Sequence, residues 1–236
     1  MADCSAPVKT GDFRLVVFVS SPVSYHDPAK MDTPASATTA LPAPAPATVV
    51  VDKRFCAPEA TAFAVAKTIT YTGRDFTVTN AGGANVMQVE AAVFALLKKS
   101  LLLDAARRPV VTMQDSGYFM NTRWAVFRGN STSRRNLLFT VVKSSAIQIG
   151  RTKIYVFLAS NSGEEAPDFV IRGSYYDGAC TVSPGNSDAT IAQASITRQN
   201  TVQLIGFGRN KYTARINPGV DQAFILALTV ILDEMH

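Results

Sequence analysis

Two histidines, three cysteines and one tryptophan are all that this 236-residue chain holds of the residue types most often found in catalytic, metal or redox sites. The histidines are His26, in a proline-rich N-terminal stretch, and His236, the last residue. A Ser-His-Asp or Cys-His arrangement needs an imidazole held by a scaffold, and neither position offers one. The same scarcity excludes most histidine-based metal sites. Cys4, Cys56 and Cys180 form no CxxC pair and no even framework, which points to free thiols in a reducing, cytoplasmic setting. Glu164-Glu165 sits beside Ser162-Gly163 as a solvated loop rather than an opposed acid-base pair. Gly206-Phe207-Gly208 lacks the third glycine and following helix of a dinucleotide loop. No catalytic residue, metal or cofactor is therefore expected, and the chain reads as a non-enzymatic protein. No apolar run reaches the roughly 20 residues of a bilayer span. Leu15–Val19 is too short for a secretory core, and Asp3 and Asp12 spoil a basic flank, so the Asn130-Ser131-Thr132 sequon is expected to stay idle.

Charged residues are also few, at 17%, while 47% are hydrophobic, which suits one well-filled globular core. Residues 1–46 differ from the rest. They hold seven of the twelve prolines, including the run Leu41-Pro42-Ala43-Pro44-Ala45-Pro46, and read as a largely disordered leader. Residues 47–236 read as the folded domain. Short β runs between turn signals recur there: Phe76–Thr79 before Asn80-Ala81-Gly82-Gly83, then Val110–Met113, Trp124–Phe127, Leu137–Val142, Ile154–Leu158, Phe169–Ile171, Ala179–Val182, Ile191–Ser195, Val202–Ile205 and Tyr212–Ile216. About ten strands at this spacing predict an antiparallel sandwich or barrel. Glu90–Lys99, rich in Ala and Leu, reads on propensity alone as a helix. Ala223–Leu232 is different in kind, because it is apolar on every side rather than along one stripe. Asn217-Pro218-Gly219-Val220-Asp221 before it supplies a cap-type residue, a proline at the first position and a first-turn acid. Ten residues rise only about 15 Å, so such a helix is expected to be surrounded by protein rather than to cross a membrane. An eight-stranded barrel is filled by its own side chains, so a barrel that admits a helix needs more strands.

Several motifs occur in order. Val51–Pro58 resembles the opening motif of the plant LURP-one-related family. Trp124-Ala125-Val126-Phe127-Arg128-Gly129-Asn130-Ser131 followed by Leu137–Val141 resembles its central signature. Phe169–Ser174 matches in between, and Val220–Asp233 resembles its closing helix. The resemblance covers about 48–236. It implies the fold shared with the tubby C-terminal domain and the phospholipid scramblases: all-β with one buried helix, a twelve-stranded antiparallel barrel around a hydrophobic C-terminal α-helix. It also implies that Glu90–Lys99 is strand and turn, against its propensity. The family is linked to plant defence, and tubby-like domains bind membrane phosphoinositides and release to the nucleus. Scramblases carry an acidic calcium-binding segment before the helix, whereas here Arg209–Pro218 holds three cations and no carboxylate, which argues against calcium.

Charge is the remaining clue. The formal net charge is +5, with the leader at −1 and the rest at +6. Between residues 98 and 135, eight cations (Lys98, Lys99, Arg107, Arg108, Arg123, Arg128, Arg134, Arg135) face only Asp104 and Asp115. Adjacent hairpins can gather such residues on one rim of a barrel, and arginine forks suit phosphate. Strand-end cations that merely keep a barrel soluble are the plainer reading, and by alternation Arg128 can face inward beside Trp124 and Val126 to meet a buried acid. Two functions follow as expectations. One is a monomeric, cytoplasmic, peripheral membrane module, at the plasma membrane or nuclear, that binds anionic lipid headgroups such as phosphoinositides through the basic rim, with Arg134 and Arg135 foremost. The other is a protein-interaction adaptor in defence signalling whose partners dock on the proline-rich leader. No recognition helix or stacking motif supports nucleic-acid binding.

Overall fold

The computed structural model describes residues 47–70, 73–92, 98–116, 122–143, 152–174, 179–198 and 210–235. The leader 1–46, the run Val202–Ile205, the Gly206–Gly208 stretch and both histidines lie outside the described residues. Twelve strands follow in chain order: β1 (Thr61–Thr70), β2 (Gly73–Asn80), β3 (Asn85–Ala92), β4 (Lys99–Asp104), β5 (Pro109–Asp115), β6 (Arg123–Arg128), β7 (Leu137–Lys143), β8 (Thr152–Leu158), β9 (Phe169–Ser174), β10 (Ala179–Pro184), β11 (Ala192–Arg198) and β12 (Asn210–Ile216). Among the described residues one α-helix, α1 (Gln222–Glu234), follows β12. Each strand pairs antiparallel with its sequence neighbours, and β1 closes on β12, with Phe63 opposite Ala214 and Val65 opposite Tyr212. Closure leaves no strand edge open to another chain.

Alternation along the strands decides what faces inward. Phe63 and Val65 on β1, Met87 and Val89 on β3, Trp124 and Val126 on β6, and Tyr212, Ala214 and Ile216 on β12 are all buried. They pack around α1, whose residues Ala223 to Asp233 are buried without interruption. Thirteen residues make a helix of about 20 Å, comparable with the depth of a barrel of six- to ten-residue strands. Phe224 anchors it, with ring centroids 5.1 Å from Phe139 and 5.0 Å from Phe169. The all-round apolarity of the helix and its burial are thus one fact seen in sequence and in space.

One local expectation is met and one needs correction. Glu90–Ala92 belongs to β3 and Lys99 begins β4, strand as the family resemblance implied and against propensity, with residues 93–97 outside the described residues. Glu90 pairs with Leu101 and Val89 with Leu102, and ladder pairing on both sides of β3 outweighs the helical propensity of Ala and Leu. The helix also begins four residues later than Asn217 suggests. Its N-cap is Asp221, whose side chain accepts the Phe224 N–H at 3.2 Å. Asn217–Gly219 form a turn instead. Asn217 donates its backbone N–H to Ile191 and its side-chain amide to Thr190, and Gly219 takes φ +75, a conformation open to glycine.

Candidate functional site

The N-terminal segment 48–57 lies against the helix start and plugs that end of the barrel. Thr48 forms a parallel bridge to Val220, and Cys56 an antiparallel bridge to Asp221. Asp221, with no exposed surface, receives the backbone N–H groups of Val50, Val51 and Asp52 on Oδ2 at 3.2, 2.7 and 3.0 Å, while its Oδ1 caps the helix. One carboxylate therefore satisfies donors of both the plug and the helix, the favoured environment for a buried anion at a positive helix end. The sequence reading placed Asp221 only as a first-turn acid. Its partners are about 170 residues away in the chain, so no local pattern reveals them.

At the other end of the helix, Asp233 is held by the Lys67 ammonium and the Tyr212 hydroxyl. Lys67 follows Phe63 and Val65 on the inward face of β1, and its side chain is only 12% exposed. Its ammonium also lies 5.5 Å from the Phe76 ring centroid. Neighbouring Glu234 faces Lys98 at 3.8 Å.

These two ends separate the eight cations singled out by sequence. Because α1 runs from the Thr61 end of β1 toward Lys67 and Lys98, the turns after even-numbered strands share the helix N-terminal end. Arg107, Arg108, Arg128, Arg134 and Arg135 sit there, whereas Lys98 and Lys99 sit at the opposite end. Most are engaged. Arg107 pairs with Glu90 at 2.5 Å. Arg108 closes its own turn onto Asp104 through both backbone and guanidinium, at 2.9 and 3.0 Å. Those contacts, the Arg108 backbone N–H first, hold the Asp104 carboxyl below its usual range. Arg123, on the outer wall, forms a forked pair with Glu164. Arg128 has the inward parity of Trp124 and Val126, but it meets no buried acid. At the barrel mouth it donates 2.7 Å to the Val51 carbonyl and straps the plug in place.

Arg134 and Arg135 remain. They occupy a 3-10 turn, Arg134–Asn136, in the β6–β7 connection, both exposed and with no ion-pair partner among the described residues. Ser131 fixes the loop by accepting from the Ser133 N–H at 3.1 Å and the Asn136 amide at 2.9 Å. The Arg128–Val51 bond brings the plug to this corner, and with it Lys53 and Arg54, cations absent from the sequence-based set. Arg54 is partly engaged by Asp52 at 3.9 Å and stacks on Phe55 at 4.6 Å. Nearby Val49 is 46% exposed, the one large hydrophobic so exposed among the described residues. The plug, Arg128 and the β6–β7 connection together carry five cations, one acid and one exposed apolar side chain.

Among the described residues neither cysteine thiol is paired with a base. The Cys180 thiol is buried in β10 and pushed up by desolvation, and the Cys56 thiol is pushed up by desolvation and then by Asp221. Among the described residues no three His, Cys, Asp or Glu side chains cluster as metal ligands. Among them, too, no helix is long and apolar enough to cross a membrane.

A closed twelve-stranded antiparallel barrel threaded by an apolar C-terminal helix, with a plug latched at the helix N-cap, defines the class of fold. The LURP-one-related family model matches residues 61–233, and the chain belongs to that family. It is 40% identical to the protein LURP-one-related 15 of Arabidopsis thaliana over 85% of this chain and 92% of that one. It is 36% identical to protein LURP1 of the same plant, over 80% and 90% of the two chains. An X-ray structure of an Arabidopsis thaliana protein aligns with TM-score 0.61 at 35% identity, covering 79% of this chain and 98% of that one. None of these names carries an enzymatic activity.

Proposed function

We propose that this barrel is a non-enzymatic, peripheral membrane-binding module of plant defence that takes anionic headgroups, phosphoinositides among them, at the corner formed by Arg134, Arg135 and the plug. The observation that carries the reading is the contrast among the cations. Arg107, Arg108, Arg123 and Arg128 are tied to acids or a carbonyl, while Arg134 and Arg135 stand exposed on a braced turn. The plug, joined to this end through the Arg128–Val51 bond, adds exposed Lys53 and the apolar Val49. A basic side chain near an anionic leaflet is worth about 1 kcal/mol, and salt screens it within about a Debye length. Co-sedimentation with neutral vesicles, and with vesicles carrying a phosphoinositide, tests the proposal. Binding is expected only to the anionic vesicles and is expected to weaken as salt rises. Equal sedimentation with both vesicle types overturns it.

A further inference from the structure

A second candidate lies on the outer wall of the barrel, beside the β6–β7 connection. The β8–β9 connection folds back over the outward faces of β6, β7 and β8, leaving a cleft of about 290 Å³. Arg123, Thr140 and Arg134 are among its polar lining, and Leu137, Phe157 and Leu158 are among its apolar lining. Phe157 points outward yet is only 8% exposed, because the connection covers it. Glu164, at the tip of that connection, takes φ +51, a left-handed conformation unfavourable for a non-glycine residue. That turn aims its carboxylate at Arg123 and brings Oε1 within 3.3 Å of the Thr140 hydroxyl. Arg123 is thereby neutralised. Arg134 is then the one uncompensated charge lining the cleft.

We infer that this cleft is a binding site for a compact organic acid, with its carboxylate on Arg134 and its apolar body on Leu137, Phe157 and Leu158. The volume equals that of about ten water molecules, which sets the size of the body at roughly one aromatic ring with a short substituent. The uncompensated guanidinium selects a carboxylate over its amide, because a forked pair forms only with the anion. The partly covered apolar side chains favour a ring over a hydrated ion. The cleft shares Arg134 with the proposed headgroup corner, but neither Arg135 nor the plug lines it.

The test is a titration of the full-length chain with benzoate, followed by amide NMR shifts at matched ionic strength, with benzamide and acetate as controls. Saturable shifts are expected at Thr140, Leu158 and Ser162, with much smaller ones from benzamide or acetate. Arg134→Gln is expected to weaken benzoate at least tenfold, while Arg135→Gln leaves it unchanged. Leu137→Glu, which sets an acid on the cleft wall, is expected to abolish the shifts in a protein whose remaining spectrum is native. Shifts scattered over the surface, equal shifts with benzamide, or a response equal to wild type in Arg134→Gln each overturn the inference. Loss of vesicle binding in Arg135→Gln with the benzoate response intact separates the two sites.

Discussion

Replacing Asp221 with alanine removes the one side chain that joins the plug to the central helix. The carboxylate accepts four backbone N–H groups: Val50, Val51 and Asp52 from the plug, and Phe224 from the first turn of α1. Loss of an N-cap costs about 1 kcal/mol. The Val51 donor, bonded at 2.7 Å in a buried setting, is then left without an acceptor, for about 1–3 kcal/mol. The Val50 and Asp52 donors are only part-buried and can turn to water, so they add little. The expected sum is about 3 kcal/mol, a large share of a domain's usual stability. Trp124, the single tryptophan and only 1% exposed, reports barrel unfolding by fluorescence. With a urea slope of about 3 kcal/mol/M for a domain of this size, the midpoint is expected to fall by about 1 M. Amide exchange at Val50–Asp52 is expected to accelerate more than exchange in the strands. Asp221→Asn keeps one acceptor oxygen and should fall between the two. A midpoint shift below about 0.3 M, with protection of Val51 intact, refutes the latch.

The Lys67–Asp233 pair offers a second test: Lys67→Met leaves a buried carboxylate short of its charge partner and should cost about 3–5 kcal/mol, while adding Asp233→Leu should recover most of that loss in a denaturation cycle. Gly185→Ala would place a Cβ 1.6 Å from the Pro167 carbonyl oxygen, so at least about 2 kcal/mol of destabilisation is expected by thermal melting. The Cys180 thiol, buried and raised in pKa, holds less thiolate at neutral pH than a free cysteine; it should resist maleimide in the native protein and react on unfolding, as mass spectrometry will show.

Much of this architecture is legible before any coordinates. Ala223–Leu232 admits only a helix buried on all sides, and nine of the ten short β runs named from sequence become β2 and β5–β12. What escapes is non-local. Thr61–Thr70 is a strand with alanine and lysine among its residues, and Glu90–Ala92 at the end of β3, helix-forming by propensity and strand only through the family resemblance, is decided by its ladder partners. The helix start slips because Asn217 and Pro218 resemble a cap, while the true cap is chosen by the plug that reaches back to Asp221. For the candidate site, sequence shows the charge cluster but not its division. Only hairpin parity sends Lys98 and Lys99 to one end and Arg134 and Arg135 to the other. The acid that neutralises Arg123 is 41 residues away, and Lys53 and Arg54 join the corner only because Arg128 holds the Val51 carbonyl.

The most direct test of the headgroup proposal compares two charge-matched variants on phosphoinositide-containing vesicles. Arg134→Ala plus Arg135→Ala and Lys98→Ala plus Lys99→Ala each remove two positive charges, from opposite ends of the same barrel. At about 1 kcal/mol per basic contact, the arginine variant should bind roughly thirtyfold more weakly than the natural chain, and the lysine variant less than about threefold. Equal losses from the two variants, or none from the arginine pair, would contradict the corner as the membrane-facing site.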